Sequence, residues 1–319
     1  MKDTMFIGID LGGTNIKAGL VDGKGVIRAE KEIATEVHGG VEHVMARMKS
    51  LILDLSGQAD AVIGGVGVGL PGMVDVEKGV YHEGPNLPGW KNEPLVEKLG
   101  AMVELPIILD NDANVAALGE YAYGAGRGVR NMLMVTLGTG VGGGLILNGK
   151  LFYGARYSAG EFGHTIINFE GPTCACGRPG CVEAYIGTQG ILRRVREKLQ
   201  AGQASSLAQI EPSKLMPKDI SDAARLGDDV ATEVLSDTGR YLGIATGNVA
   251  NLLNIERVVV GGGVANAGDW ILQPARATLK EIALKVPSET VDMVPALLGN
   301  HAGLVGAAHL AMLAQKNKS

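Results

Sequence analysis

The sequence predicts an α/β protein built as two halves, each with a mixed β-sheet. Three observations carry that expectation. The chain has 319 residues, 46% of them apolar and 20% charged, a balance typical of globular chains and a length that allows two cores. Apolar runs of strand length alternate with segments of helical periodicity. A segment also recurs: Ile9 to Lys24 reads IDLGGTNIKAGLVDGK, and Val135 to Lys150, 126 residues later, reads VTLGTGVGGGLILNGK.

Taken in order, Met5 to Ile9 reads as a core strand. The two matching segments then align without a gap as apolar strand end, Leu-Gly, small-residue turn, second apolar strand, and Asp-Gly-Lys or Asn-Gly-Lys. Asp22-Gly23 and Asn148-Gly149 are expected to form hairpin turns with both central residues at positive φ. Chance recurrence in a chain with 48 glycines is the bland alternative; a gapless match over a whole meander favours duplication. Val41, Val44, Met45, Met48, Leu51, Ile52 and Leu55 share one helix face. Val62 to Leu70 reads as a buried strand ending at Pro71-Gly72. Ile107 to Leu109 is a short strand entering Asp110-Asn111-Asp112, with a helix over Ala113 to Ala122. Tyr241 to Leu253 reads as helix, and Arg257 to Val260 as a strand running into Gly261-Gly262-Gly263. The domains are expected at 1–118, with a C-terminal helix at 301–319 completing the first, and at 119–300. Two such halves leave a cleft, the usual place for a ligand.

A net charge of -5 and a pI near 5.7 argue against nucleic acid or an anionic membrane as partner. No apolar run reaches the roughly 18 residues of a membrane span, and no basic-then-apolar leader follows Met1. A cytoplasmic location is the expectation.

The glycine loops point to phosphate. Gly138 to Gly143 matches GxGxxG, but the dinucleotide fingerprint needs a helix next. Here Leu145-Ile146-Leu147-Asn148-Gly149 follows, a strand and turn, so that reading is rejected. Either loop alone would be read as a plain tight turn. Two related loops, one per half, favour cradles of backbone amides for a polyphosphate. The three cysteines, Cys174, Cys176 and Cys181, are too close and too odd in number for a disulfide framework in a cytosolic chain. With His164 as the nearest nitrogen they make a Cys₃His set, typical of structural zinc.

Asp10-Leu11-Gly12-Gly13-Thr14-Asn15-Ile16-Lys17 resembles the first phosphate loop of the sugar-kinase, actin and Hsp70 superfamily. Leu137 to Gly144 is similar to its second, and Val260 to Gly263 to its adenosine loop. Within that superfamily the chain resembles the ROK family from Met5 to its C-terminal region. The family hallmark CxCGxxGCxE stands complete from Cys174 to Glu183. The resemblance implies an actin-like ATPase fold with a central cleft, and ATP-dependent phosphorylation of glucose at its 6-hydroxyl. It implies Asp112 as catalytic base, against its plain alternative as a helix N-cap, with Asp110 structural. Asp10 is implied for Mg²⁺, and Lys17 for a place near the phosphates. Gly12, Gly13, Thr14, Gly138, Thr139, Gly140, Gly261, Gly262 and Gly263 are implied for the nucleotide. Gly72, Asn86, Asn111, Asp112, Glu161, His164 and Glu183 are implied for the hexose. Glu161 and Glu183 taken singly would read as surface acids.

Pro85-Asn86-Leu87-Pro88-Gly89-Trp90-Lys91 resembles the sugar loop of glucose-specific members. An N-acetylhexosamine kinase stays open beside glucose, and polyphosphate stays open beside ATP. A sugar-sensing repressor is disfavoured, since those carry an N-terminal helix-turn-helix domain. The resemblance also implies a homodimer or homotetramer. Because Glu183 follows Cys181 by two residues, metal loss is expected to weaken sugar affinity far more than nucleotide affinity. His38, His43, His82, His301 and His309 are assigned to packing or solvent. Arg127, Arg130, Arg193, Arg194 and Arg196 are assigned to solvated faces.

Overall fold

Strands β1 (Thr4–Leu11), β2 (Asn15–Asp22) and β3 (Ile27–Ala34) form the antiparallel meander that the first repeat encodes. The computed structural model describes residues 4–84 and 86–316. Pro85 of the expected sugar loop and residues 317–319 of the expected C-terminal helix lie outside the described residues. Helix α1 (Gly40–Gln58) follows, then β4 (Val62–Leu70), a small hairpin of β5 (Met73–Asp75) and β6 (Val80–Glu83), α2 (Leu95–Val103), β7 (Ile107–Asn111) and α3 (Asp112–Tyr123). The second repeat gives β8 (Met132–Leu137), β9 (Val141–Leu147) and β10 (Lys150–Leu151). After it come α4 (Glu183–Ile186), α5 (Thr188–Gln200), α6 (Pro217–Arg225) and α7 (Asp229–Leu253). The chain ends with β11 (Arg257–Gly261), α8 (Asp269–Ile282), α9 (Lys285–Thr290), β12 (Asp292–Pro295) and α10 (Ala302–Lys316).

The duplication extends from sequence to topology. One sheet has strand order β3-β2-β1-β4-β7 and the other β10-β9-β8-β11-β12. In the first, β4 pairs parallel with β1 and with β7; in the second, β11 pairs parallel with β8 and with β12. Each sheet is therefore a local meander extended by parallel strands, which need long crossovers. The described chain forms two compact units. One comprises the residues up to Gly128, Gly144–Gly160 and the chain from Leu297; the other comprises Val129–Gly143 and Glu161–Ala296.

The two hairpin turns differ. Asn148 (φ 54°) and Gly149 (φ 80°) are both left-handed, as their sequence predicts. The Asp22-Gly23 expectation is corrected, because the left-handed residue there is Gly25 (φ 80°). Asp22 Oδ1 accepts from the amides of Lys24 (2.9 Å) and Val26 (3.0 Å), and its Oδ2 accepts from Arg28. That side-chain-organised loop replaces the two-residue turn, a recognised competition for Asp.

The face predicted for α1 is buried at Val44, Met45, Met48, Leu51, Ile52 and Leu55, with Val41 at its margin. Arg194 departs from expectation. It is buried on α5, donating to the carbonyls of Tyr185 and Val234 and to Thr238 Oγ1. A guanidinium survives burial when its fork is met by acceptors, and these lie on α4 and α7, out of reach of sequence spacing.

Candidate active site

In the first unit β1, β4 and β7 run parallel, so their carboxyl ends share one edge, where open α/β sheets bind ligands. Register sets Asp10 opposite Lys17 on β2 and opposite Gly69 on β4, and Gly69 opposite Asp110 on β7. Three charged side chains thus stand in one row across four strands.

The turn after β1 closes with the Gly12 amide on the Asn15 carbonyl at 2.9 Å. Thr35, fully buried, donates its hydroxyl to the Gly12 carbonyl (2.6 Å) and its amide to the Thr14 carbonyl (2.7 Å). Among the described residues, the amides of Gly13 and Thr14 take no backbone partner. A Cβ on Gly13 would lie 3.1 Å from the Asn86 carbonyl, so the turn and the Asn86 loop are in close approach.

Asp112 opens α3 without capping it. The N-cap is Asn111, whose Oδ1 accepts from the amides of Ala113 (2.9 Å) and Asn114 (3.3 Å). Asn111 Nδ2 also donates to the Gly72 carbonyl at 3.1 Å, tying the end of β7 to the turn after β4. Gly72 is at φ 111°, and a Cβ there would collide with the Glu83 carbonyl and Gly84. Burial and the neighbouring Asp10 charge push the Asp112 carboxyl up to about 7. Burial also raises Asp10, against the pull of Lys17. Asp110 is fully buried and accepts from the Asn111 amide (2.7 Å), Asn114 Nδ2 (2.8 Å) and the Tyr153 hydroxyl (2.7 Å). Those three bonds occupy Asp110, whereas the Asp112 carboxylate accepts from the Ala113 amide (2.8 Å). Sequence reasoning did not find Tyr153 or Thr35; neither lies in a motif.

In the second unit the turn after β8 closes one residue sooner than the first. The Gly138 amide meets the Gly140 carbonyl at 3.0 Å, and β9 rather than a helix follows, as expected. Thr188, also absent from the sequence reading, donates both its hydroxyl (2.8 Å) and its amide (3.1 Å) to the Gly138 carbonyl. Gly262 (φ 91°) lies against the backbone of Leu137, where a Cβ would collide. The turn after β11 is thereby set beside the end of β8.

His164, Cys174, Cys176 and Cys181 bring their ligand atoms within 4.8 Å of one another. Isolated bridges pair Ile166 with Cys181 and Thr173 with Pro179, folding the cysteine loop onto the segment after His164. The Arg178 amide pulls the Cys176 thiol down to about 7, whereas burial pushes Cys174 up to about 12. Glu183 has two contacts. Cys174 Sγ lies 3.3 Å from its Oε1, and its Oε2 accepts from the Val141 amide at 3.0 Å, in the second glycine loop. Glu161 is exposed, and its carbonyl accepts from the His164 amide at 3.0 Å.

A profile of the ROK family matches residues 6–314. A glucokinase from Halalkalibacterium halodurans is 39% identical over 317 residues, covering 97% of this chain and 96% of that protein. A xylose repressor from Caldicellulosiruptor bescii is 31% identical over 279 residues, 86% of this chain and 70% of the repressor. Among solved structures, a ROK family glucokinase from Streptomyces griseus, in complex with glucose and AMPPNP, superposes with a TM-score of 0.83 at 35% identity. That match covers 97% of this chain and 99% of the other, which carries the actin-like ATPase fold to this chain.

Proposed function

The chain belongs to the ROK family, and from that premise we propose that it is an ATP-dependent glucokinase, phosphorylating glucose at its 6-hydroxyl. The observation that carries the chemistry is Asp112. It stands at the carboxyl end of β7, relieved of capping by Asn111, with its carboxyl raised to about 7. A general base works best when its pKa lies near the working pH. Phosphoryl transfer asks the protein mainly for positioning and for stabilisation of charge. In this reading Asp112 takes the proton of the 6-hydroxyl, and Gly72, Asn86, Asn111, Glu161, His164 and Glu183 hold the sugar. Gly12, Gly13, Thr14, Lys17, Gly138, Thr139, Gly140, Gly261, Gly262 and Gly263 bind the nucleotide. Support comes from the first-turn amides that take no backbone partner among the described residues, and from the threonine bond that each turn's first glycine carbonyl accepts.

Mg²⁺ fits Asp10. Asp10, raised by burial, and Asp112, raised by burial and by the Asp10 charge, both gain from a cation. When bound, the ion neutralises phosphate charge; Asp10 would hold it or its waters. Zinc fits the Cys₃His set. Tetrahedral zinc–thiolate geometry places sulfurs about 3.7 Å apart, and Cys176 and Cys181 are 3.7 Å apart. His164 Nδ1 lies 3.8 Å from Cys174 Sγ. Zinc there would brace the loop and fix the imidazole, leaving its other nitrogen for the sugar. We further propose a cytoplasmic enzyme, a homodimer or homotetramer. Among the described residues no helix is long and apolar enough to cross a membrane.

A coupled assay of ADP release over glucose, mannose, N-acetylglucosamine, N-acetylmannosamine, fructose and allose tests the reading. Glucose should show the highest kcat/KM, since a hydroxyl left without its partner is discriminated strongly. An N-acetylhexosamine tenfold better would replace glucose as the acceptor. No ADP release with any sugar would reject the kinase reading and leave a sugar-sensing role.

A further inference from the structure

Gly12 and Gly138 occupy the same position in the two aligned repeats, and the structure treats them alike. Each carbonyl accepts a threonine hydroxyl from outside the repeated segment: Thr35 at 2.6 Å for Gly12, and Thr188 at 2.8 Å for Gly138. The two threonines come from unrelated places. Thr35 follows the last residue of β3, whereas Thr188 is the first residue of α5. The two share only a short pattern, Ile33-Ala34-Thr35-Glu36 and Ile186-Gly187-Thr188-Gln189.

The consequence for the loops is directional. A carbonyl held by a threonine is fixed in orientation, and the peptide plane carries the following amide with it. The Gly12 carbonyl belongs to the same peptide as the Gly13 amide, and the Gly138 carbonyl to the same peptide as the Thr139 amide. Fixing each carbonyl on the threonine side turns the amide to the opposite side of its peptide. Backbone amides presented from a turn in this way form an anion cradle, and preorganising them removes the ordering cost from the binding step.

We propose that Thr35 and Thr188 are paired positioning residues, latches that orient the first peptide of each glycine turn toward the phosphates of the nucleotide. The inference rests on the kinase reading above. The latches are unequal. The Gly138 carbonyl also receives the Thr188 amide at 3.1 Å, which no side-chain substitution removes. The Thr35 amide goes to the Thr14 carbonyl instead, so Thr35→Val takes the threonine bond from Gly12 altogether.

The test uses the full chain and two probes, AMPPNP and glucose, titrated separately by calorimetry, with steady-state kinetics and thermal melts alongside. Thr35→Val should weaken AMPPNP binding roughly five- to tenfold, the worth of one buried hydrogen bond, and Thr188→Val by less. Glucose affinity should stay within twofold for both. Thr35→Ser and Thr188→Ser, which keep the hydroxyl, should restore nucleotide affinity. Should Thr35→Val fail to fold, Thr35→Ala and the Thr188 pair carry the same comparison. A wild-type chain that releases no ADP with any sugar would sink the kinase reading itself. An active wild type whose valine variants bind AMPPNP normally, or lose both probes equally, would overturn the latches.

Discussion

As the proposed base, Asp112 meets opposing demands from folding and from chemistry. Its ordinary carboxyl value of 3.8 rises to about 7 because burial and Asp10 both penalise the charge. The folded chain therefore holds this proton more tightly than the unfolded chain does. The stabilisation this gives is complete below about pH 3.8 and is lost as pH rises through about 7. Asp112→Asn, which cannot ionise, should melt higher than the wild type at pH 8, and the difference should shrink toward pH 5. The same substitution should lower kcat by ~10² or more, with glucose affinity little changed. For the wild type, kcat/KM should fall on the acid side with an apparent pKa near 7, because the base must be ionised to accept a proton. A variant with normal kcat, or a flat acid limb, would return Asp112 to a structural role. The sequence offered two roles for this residue, base or cap; the N-cap is Asn111.

At the scale of elements, α10 shows what glycine does in this chain. It lies against β1, β4 and α3 at points where one side lacks a Cβ. A methyl on Gly8 or Gly67 would strike the carbonyls of Leu304 or Ala307, and one on Gly306 or Gly119 would strike those of Val115 or Ala302. Gly303 in its first turn lies against the Asp10 carboxylate, so the seating of α10 and the position of Asp10 are linked. Gly67→Ala should cost ~1–3 kcal/mol, since the obstruction is backbone that cannot rotate away. Gly57→Ala, in open space on the exposed side of α1, should be neutral or stabilising by ~0.4–1 kcal/mol. Denaturant melts of the two variants decide this; equal stabilities would mean that α10 adapts readily. The α1 face was legible because its spacing is local. The glycines of α10 were legible only as composition, because what each one meets is distant in sequence.

For the molecule as a whole, the cluster of His164 and the three cysteines is joined to the second glycine loop by one side chain. Glu183 touches Cys174 and accepts from the Val141 amide in the second glycine loop. The expectation that metal loss weakens sugar affinity far more than nucleotide affinity therefore gains a rival outcome, in which both affinities fall. Metal analysis should give one zinc per chain, and depletion by a chelator should weaken AMPPNP binding as well as glucose binding. Unchanged AMPPNP affinity in depleted protein would leave the metal serving the sugar side alone. The sequence by itself determined the two mixed sheets, the duplicated meander, the glycine turns and the clustered ligands from His164 to Cys181. Each of these is written in periodicity, turn chemistry or short spacing, which act over a few residues. Only tertiary structure decided that Asn111 rather than Asp112 caps α3, that Arg194 is buried among carbonyls, and that Thr35, Thr188 and Glu183 secure the glycine turns. These are contacts between segments far apart in the chain, and their partners are mostly backbone carbonyls and amides. Every residue carries those groups, so no sequence pattern can mark which of them a side chain will find.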